Sequence, residues 1–453
     1  MRTRPVEPSR SLDEAFERFT QEIGAWVGDA TAAYRETPPS DVHDQGTYTT
    51  AWAPYARLSN DARPAAFMKE LRDRIAAHFT STGKWRHGYW RMQEAHHGTE
   101  HYELFLGALA ELDPADAATA RQLDDAAEHL GNWSSEVPDW YDWERGVYLS
   151  MYFGADGIKR GAAEILNVPD HLRCANIALL AHAATRKPRY LELAAAYAGR
   201  WAEALLAEPR IPVGLDARGA VFDLEGESRQ AYQGFAGMAF SDDGGGLASE
   251  TDRAENFLAS GVVKTFLELF RHTREPKFLR AAEKLLDVLA REVADPDAGA
   301  AVADLRRYRR LMESERYDDA LRQAGQGLDP GAIRELGIEP ELKRPSRPSG
   351  IGKRADMPRW FENGAPRRHG PVLLAALAEL NRDEALARQA LDLGRTCLAL
   401  AREAYPHGRE HGCSARSISA VARGHGRDNH AGVVTEVYAP LAEAFGLGRA
   451  AKA

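Results

Sequence analysis

ANIALLAHAATRKPRYLELAAAYAGRW, residues 175–201, and VVKTFLELFRHTREPKFLRAAEKLLDVL, residues 262–289, decide the fold. Each reads as an apolar first helix, a short polar turn and a second helix with a charged outer face. The turns TRKPRYL, from Thr185, and TREPKFL, from Thr273, match almost residue for residue. Two further copies, ELFLGALAELDPADAATARQLDDAAEHL from Glu103 and PVLLAALAELNRDEALARQALDLGRTCLAL from Pro371, repeat the pattern. No such hairpin buries its apolar face alone, so the hairpins must stack on one another. Long insertions make their spacing irregular, whereas an open solenoid keeps a strict short period. The expectation is therefore an all-α chain closed into an α/α toroid, a barrel of helical hairpins with long loop insertions and minor β.

Outward from the repeats, Phe16, Phe19, Ile23 and Trp26 recur at helical spacing from a Ser11 start and predict a helix over 11–35. A connection over 36–62 and a helix over about 65–79 follow. Residues 1–64 are expected to pack on a single catalytic domain, 65–453, that carries an insertion at 295–366. Within that domain, 132–160 and 207–251 break the helical pattern. The second break holds IPVGLDARGAVFDL, with strand-like alternation, and the Gly-rich SDDGGGLASETD. The Pro, Gly and Lys/Arg content of 295–366 suggests an exposed arm, a lid or a partner-contacting loop, which leaves self-association of the chain open. A last apolar helix is expected over about 431–445.

Of the 453 residues, 44% are hydrophobic and 28% charged, enough for a sizeable core in a soluble chain. The net charge of -9 argues against general nucleic-acid binding, which needs summed Lys and Arg contacts to phosphate. No signal-peptide core and no membrane-length apolar run is present, so the reading is cytoplasmic. Cys174, Cys397 and Cys413 are odd in number and widely spaced, which suits reduced thiols.

The polar chemistry gathers just ahead of the apolar first helices. In WRHGYWRMQEAHHGTEH, residues 85–101, His96, His97, Glu100 and His101 form the densest cluster of groups suited to acid and base work. Further sets are His171, Arg173 and Asn176; Glu250, Asp252, Arg253 and Asn256; Arg367, Arg368 and His369; and Asp428, Asn429 and His430. Single Asp or Asn residues there serve equally as helix caps, but His and Arg do not. Residues 407–430 hold four arginines and four histidines against Glu410 and Asp428, a basic island suited to an anionic substrate or to a solvated loop. Trp85, Trp90, Trp140, Tyr141, Trp143 and Trp360 fall in the interruptions, as sugar-stacking platforms or as plugs that hold loops to the body. His97, Glu100 and His101 also match H-x-x-E-H, in which two histidines on one helix face bind zinc. That pattern is short, and the chain shows neither the α/β fold nor the distal glutamate it needs clearly, so neither metal nor cofactor is expected. No G-x-S-x-G elbow or Walker loop occurs.

The hairpins, together with His, Glu and Trp clusters at the inner-helix starts, resemble the (α/α)6-toroid carbohydrate-active enzymes, glycoside hydrolases and polysaccharide lyases, over most of residues 65–445. The resemblance implies a sugar chain, often with uronic acid units, bound across one end of the toroid. The leading expectation is a glycoside hydrolase acting on an acidic, uronic-acid-containing oligo- or polysaccharide, a glucuronidase for example, with no nucleic-acid or membrane partner and with a homo-oligomer left open. Glu100, with Glu250 or Asp252, would be the carboxylate pair, His101 a further catalytic group, and Asp142 and Glu144 substitutes. His96, His97, Tyr141, Trp143, Arg145, Arg427, Asn429 and His430 would bind substrate. A polysaccharide lyase using His97, His101, Tyr141 and Arg145 is the close alternative. A non-catalytic helical-repeat scaffold is the alternative of another class.

Overall fold

The computed structural model describes residues 9–39, 44–161, 164–222, 250–258, 260–293, 299–326, 336–339, 359–362, 365–366, 370–404 and 433–448. The chain is all-α with minor β, as the repeated hairpins require. Its packing divides it into two units, one drawn from residues up to Met68 and from Ala290 onward, the other from Lys69–Leu289.

Each expected hairpin forms. In the second unit Leu172–Thr185 returns along Pro188–Ala207, and Val262–Thr273 is followed by Pro276–Glu292. The matching turns fold alike. Arg186 and Arg274 both take left-handed backbone, at φ 63° and 61°, and end their helices by donating N–H to His182 O and Phe270 O. Thr185 and Thr273 each bond back to the carbonyl four residues earlier and accept an N–H from two residues ahead. Pro188 and Pro276 then open the next helices, where a missing N–H costs nothing. The core between the helices is aromatic and aliphatic: Tyr190, Leu193, Tyr197 and Trp201 are buried, with Trp201 edge-on to Phe257 at 5.3 Å.

In the first unit Ser11 caps Leu12–Glu36 by accepting the N–H of Glu14 at 3.1 Å. Its buried stripe includes Phe16 and Phe19, and Phe16 stacks on Tyr438 at 4.7 Å. The connection expected over 36–62 contains two short helices, Asp44–Thr49 and Trp52–Ser59. The 295–366 stretch holds helices Gly299–Met312 and Asp318–Ala324 and an antiparallel sheet of Leu336–Glu339, Arg359–Glu362 and Ala365–Pro366. The last helix starts with a π-helical turn, Val433–Tyr438, before Ala439–Phe445. Wider turns of this kind free backbone carbonyls, and Arg306 Nη1 donates to that of Glu436.

Small strands place the cluster singled out at 85–101. Trp85–Arg86 and Tyr89–Trp90 pair across a tight turn with His87 and Gly88 at positive φ, the twist a two-residue hairpin needs. Gln93–Glu94 then pairs with Tyr152–Gly154. At Gly154 a Cβ would sit 2.4 Å from Arg91 O, so only glycine lets the two backbones approach there. The interruption at 207–251 supplies the Gly214–Leu215 and Val221–Phe222 hairpin expected from its alternation.

Candidate functional site

The site grows from the end of the Gln93–Glu94 strand. Strand pairing fixes Glu94, and its carboxylate caps the short helix Ala95–Glu100 by accepting His97 N–H at 2.8 Å. The same oxygen meets His97 Nδ1. Helical spacing stacks His96 under Glu100, with Nε2 3.3 Å from Oε1. The chain then widens into a π-helix, His101–Leu106, before resuming as α over Gly107–Leu112.

The neighbouring helix completes the cluster. Asp170, in the 3-10 turn Pro169–His171, lies with Oδ1 3.4 Å from His96 Nδ1. Arg173, one turn on, brings Nη1 to 3.4 Å from Glu100 Oε1 and Nε to 3.7 Å from Glu103 Oε2. Asn176 donates to Glu103 Oε1 at 2.6 Å and to Ser260 O at 3.0 Å. Glu94, His96, Glu100, Asp170 and Arg173 are all buried, whereas the His97 side chain is 27% exposed and forms the outer edge.

Burial and neighbours push these acids apart. Burial holds Glu103 above the usual carboxylate range despite Arg173 and Asn176. Asp170 feels the same burial, yet His96 and Arg173 outweigh it and hold its carboxyl below that range. Glu94 is lowered likewise, its burial outweighed by His97 and His96. For His96 burial disfavours the charge, but Asp170 and Glu100 prevail and raise it. Among the described residues Glu94 Oε2 and Glu103 Oε2 are buried without a hydrogen bond.

The residues expected from sequence do not all come together. His96, His97 and Glu100 come together, their ligand-type atoms all within 4.8 Å of one another. His101 does not join them as the H-x-x-E-H reading requires. Past the α-to-π change its ring lies among Trp85, Trp90, Tyr102 and Phe105, with Nε2 3.3 Å from Gln122 Oε1. Tyr141, Trp143 and Arg145 form their own group on the Tyr141–Tyr148 hairpin. Trp143 is 43% exposed and edge-on to Tyr141 at 5.0 Å, and Arg145 donates to Asp142 Oδ2 at 2.8 Å. Glu250 has both oxygens engaged, by Arg210 Nε and by Ile211 N–H, each at 2.9 Å. That contact ties the start of helix Glu250–Leu258 to the loop before it. Asp252 sits in the same helix, but its side chain lies outside the described residues, as do Arg427, Asn429 and His430.

Glu94, Glu103 and Asp170 went unpredicted. Glu94 carried a signal, an acid three residues ahead of His97 at a helix start, and Asp170 sits beside the polar set of His171 and Arg173. His171 itself is a structural histidine: Nδ1 accepts Val168 N–H and Nε2 donates to Ser150 O, both at 3.2 Å.

No family model matches the chain, and no curated protein matches its sequence. Among solved structures it is similar to a crystal structure of an unsaturated glucuronyl hydrolase specific for heparin. The identity is 13% and the TM-score 0.46, over 84% of this chain and 97% of that one. Among the described residues no helix is long and apolar enough to cross a membrane.

His101 yields a pH prediction. Burial lowers it from an ordinary 6.5 to about 4. As pH falls from 6.5 toward 4, the unfolded chain takes this proton before the folded one does, so stability is full above the upper value and declines below it. The loss amounts to about 3 kcal/mol across that window, at about 1.4 kcal/mol per unit. Urea unfolding at pH 7 and pH 4 will show a gap that narrows by about this amount in His101→Phe; an unaltered gap would place the acid sensitivity elsewhere.

Proposed function

We propose that the chain is a glycoside hydrolase acting on acidic, uronic-acid-containing oligo- or polysaccharides, glucuronidase activity included. The observation that supports this is the pair Glu100 and Glu103, two carboxylates one helical step apart that share Arg173. Hydrolysis of a glycosidic bond needs one carboxyl that carries a proton to the leaving oxygen and another that activates water or attacks directly. Glu103, whose carboxyl burial pushes up, takes the acid role, and Glu100 takes the other. His97, at the exposed edge, meets the substrate, with Arg145, Arg427 and His430 as holders of the uronate carboxylate and Trp143 as a stacking surface.

A second reading, a polysaccharide lyase, draws on one observation of its own. His97 has Nδ1 tied to Glu94, the arrangement that orients an imidazole for proton abstraction. Incubation with a panel of uronate-containing oligosaccharides separates the two. Hydrolysis gives new reducing ends without the ultraviolet absorbance of an unsaturated uronate, whereas elimination gives both. A panel left intact would remove the acidic-sugar reading and favour a binding scaffold.

A further inference from the structure

His96 and His97 are each gripped from behind. His96 Nδ1 faces Asp170 Oδ1 at 3.4 Å, and His97 Nδ1 meets Glu94 Oε1. A carboxylate on one ring nitrogen fixes the tautomer and leaves the lone pair on the other, the support that metal-binding histidines almost always have. Two adjacent histidines, one buried and one at the edge, each have that support.

The separations agree. His96 Nε2 and Glu100 Oε1 lie 3.3 Å apart, and one ligand-type atom from each of His96, His97 and Glu100 falls within 4.8 Å of the others. Ligands bound at roughly 2.0–2.2 Å in tetrahedral geometry stand roughly 3.3–3.6 Å from each other, so small closing movements suffice. Arg173 holds Glu100 by the oxygen that faces His96, which fixes the carboxylate in place.

The geometry points to a divalent transition-metal site of the zinc type, formed by His96, His97 and Glu100 and supported by Asp170 and Glu94. Three protein ligands leave a fourth position for water or substrate, as in catalytic rather than structural zinc sites. The nitrogen and oxygen donors favour zinc-like ions over magnesium or calcium, which prefer oxygen alone. The partly exposed edge at His97 is the way in. This differs from the H-x-x-E-H pattern, in which the second histidine would be His101.

Metal binding is measured on the full chain without any sugar. A chain that binds zinc but leaves every oligosaccharide intact removes only the proposed function; one that cleaves sugar with no bound metal removes only this inference. The chelator-stripped protein is titrated with Zn2+ alone by calorimetry. One ion per chain is expected. His97→Ala and Glu100→Gln should abolish that binding, and Asp170→Asn should weaken it by roughly 10–100-fold, with circular dichroism unchanged. His182→Ala, on a different helix face beside His272, should bind as the parent does. Should the variants fail to fold, X-ray absorption of the zinc-loaded parent decides: two imidazoles and oxygen are expected. No bound ion, binding undiminished in folded His97→Ala and Glu100→Gln, or a sulfur shell from Cys174 or Cys397 would overturn the site.

Discussion

Arg173→Met is expected to lower the unfolding free energy by about 3–5 kcal/mol at neutral pH, the cost of breaking a buried ion pair from one side. Arg173 is fully buried and reaches both Glu100 and Glu103. Methionine fills similar volume, so the loss is electrostatic: Glu100 and Glu103 lose the guanidinium they share. Urea unfolding will show it as a lower midpoint with an unchanged slope. Adding Glu103→Gln to Arg173→Met removes one of the stranded acids and should restore part of the loss, a coupling that a double-mutant cycle measures. A change under about 1 kcal/mol would mean that water reaches these groups and that the cluster is far less dry than its burial implies.

Glu103→Gln and Glu100→Gln are each expected to reduce kcat/KM on the cleaved uronate oligosaccharide by roughly 100- to 10,000-fold, the range for losing a positioned acid or base. Glutamine keeps the shape at both positions and, at 103, the hydrogen bond from Asn176, so the fold should survive. The two variants differ in one respect. Glu103 is outside the proposed metal ligand set, so Glu103→Gln should still bind Zn2+, whereas Glu100→Gln should not. Equal activity of Glu103→Gln and the parent would remove the hydrolytic pairing and bring forward the His97–Glu94 dyad.

The sequence made the hairpins legible because the information was local. A Thr, a left-handed Arg and a Pro in TRKPRYL and TREPKFL dictate the same turn wherever they occur, and Ser11 announces its helix by the same kind of short-range bond. His96, His97 and Glu100 were legible for the same reason, since spacing along one helix brings them together. The failures are long-range. Nothing near Glu250 tells that Arg210, forty residues earlier, occupies it. Asp170 becomes part of the site only when the helix that follows it packs beside Ala95–Glu100. The placement of His101 depends on a change of helical pitch that no residue pattern announced.

That change of pitch sets a rule for insertions and deletions. A π turn spends more residues per turn than an α turn, so His101–Leu106 accommodates a surplus that an unbroken α-helix would not. Removing one residue there would let the helix run on as α and swing Ala95–Glu100 through about 100° relative to Gly107–Leu112. Leu109 would keep its seat in the core while Glu100 left Arg173 and His96 left Asp170. The chemistry and the packing of this helix thus keep two different phases, and a single length-changing mutation could erase one while sparing the other.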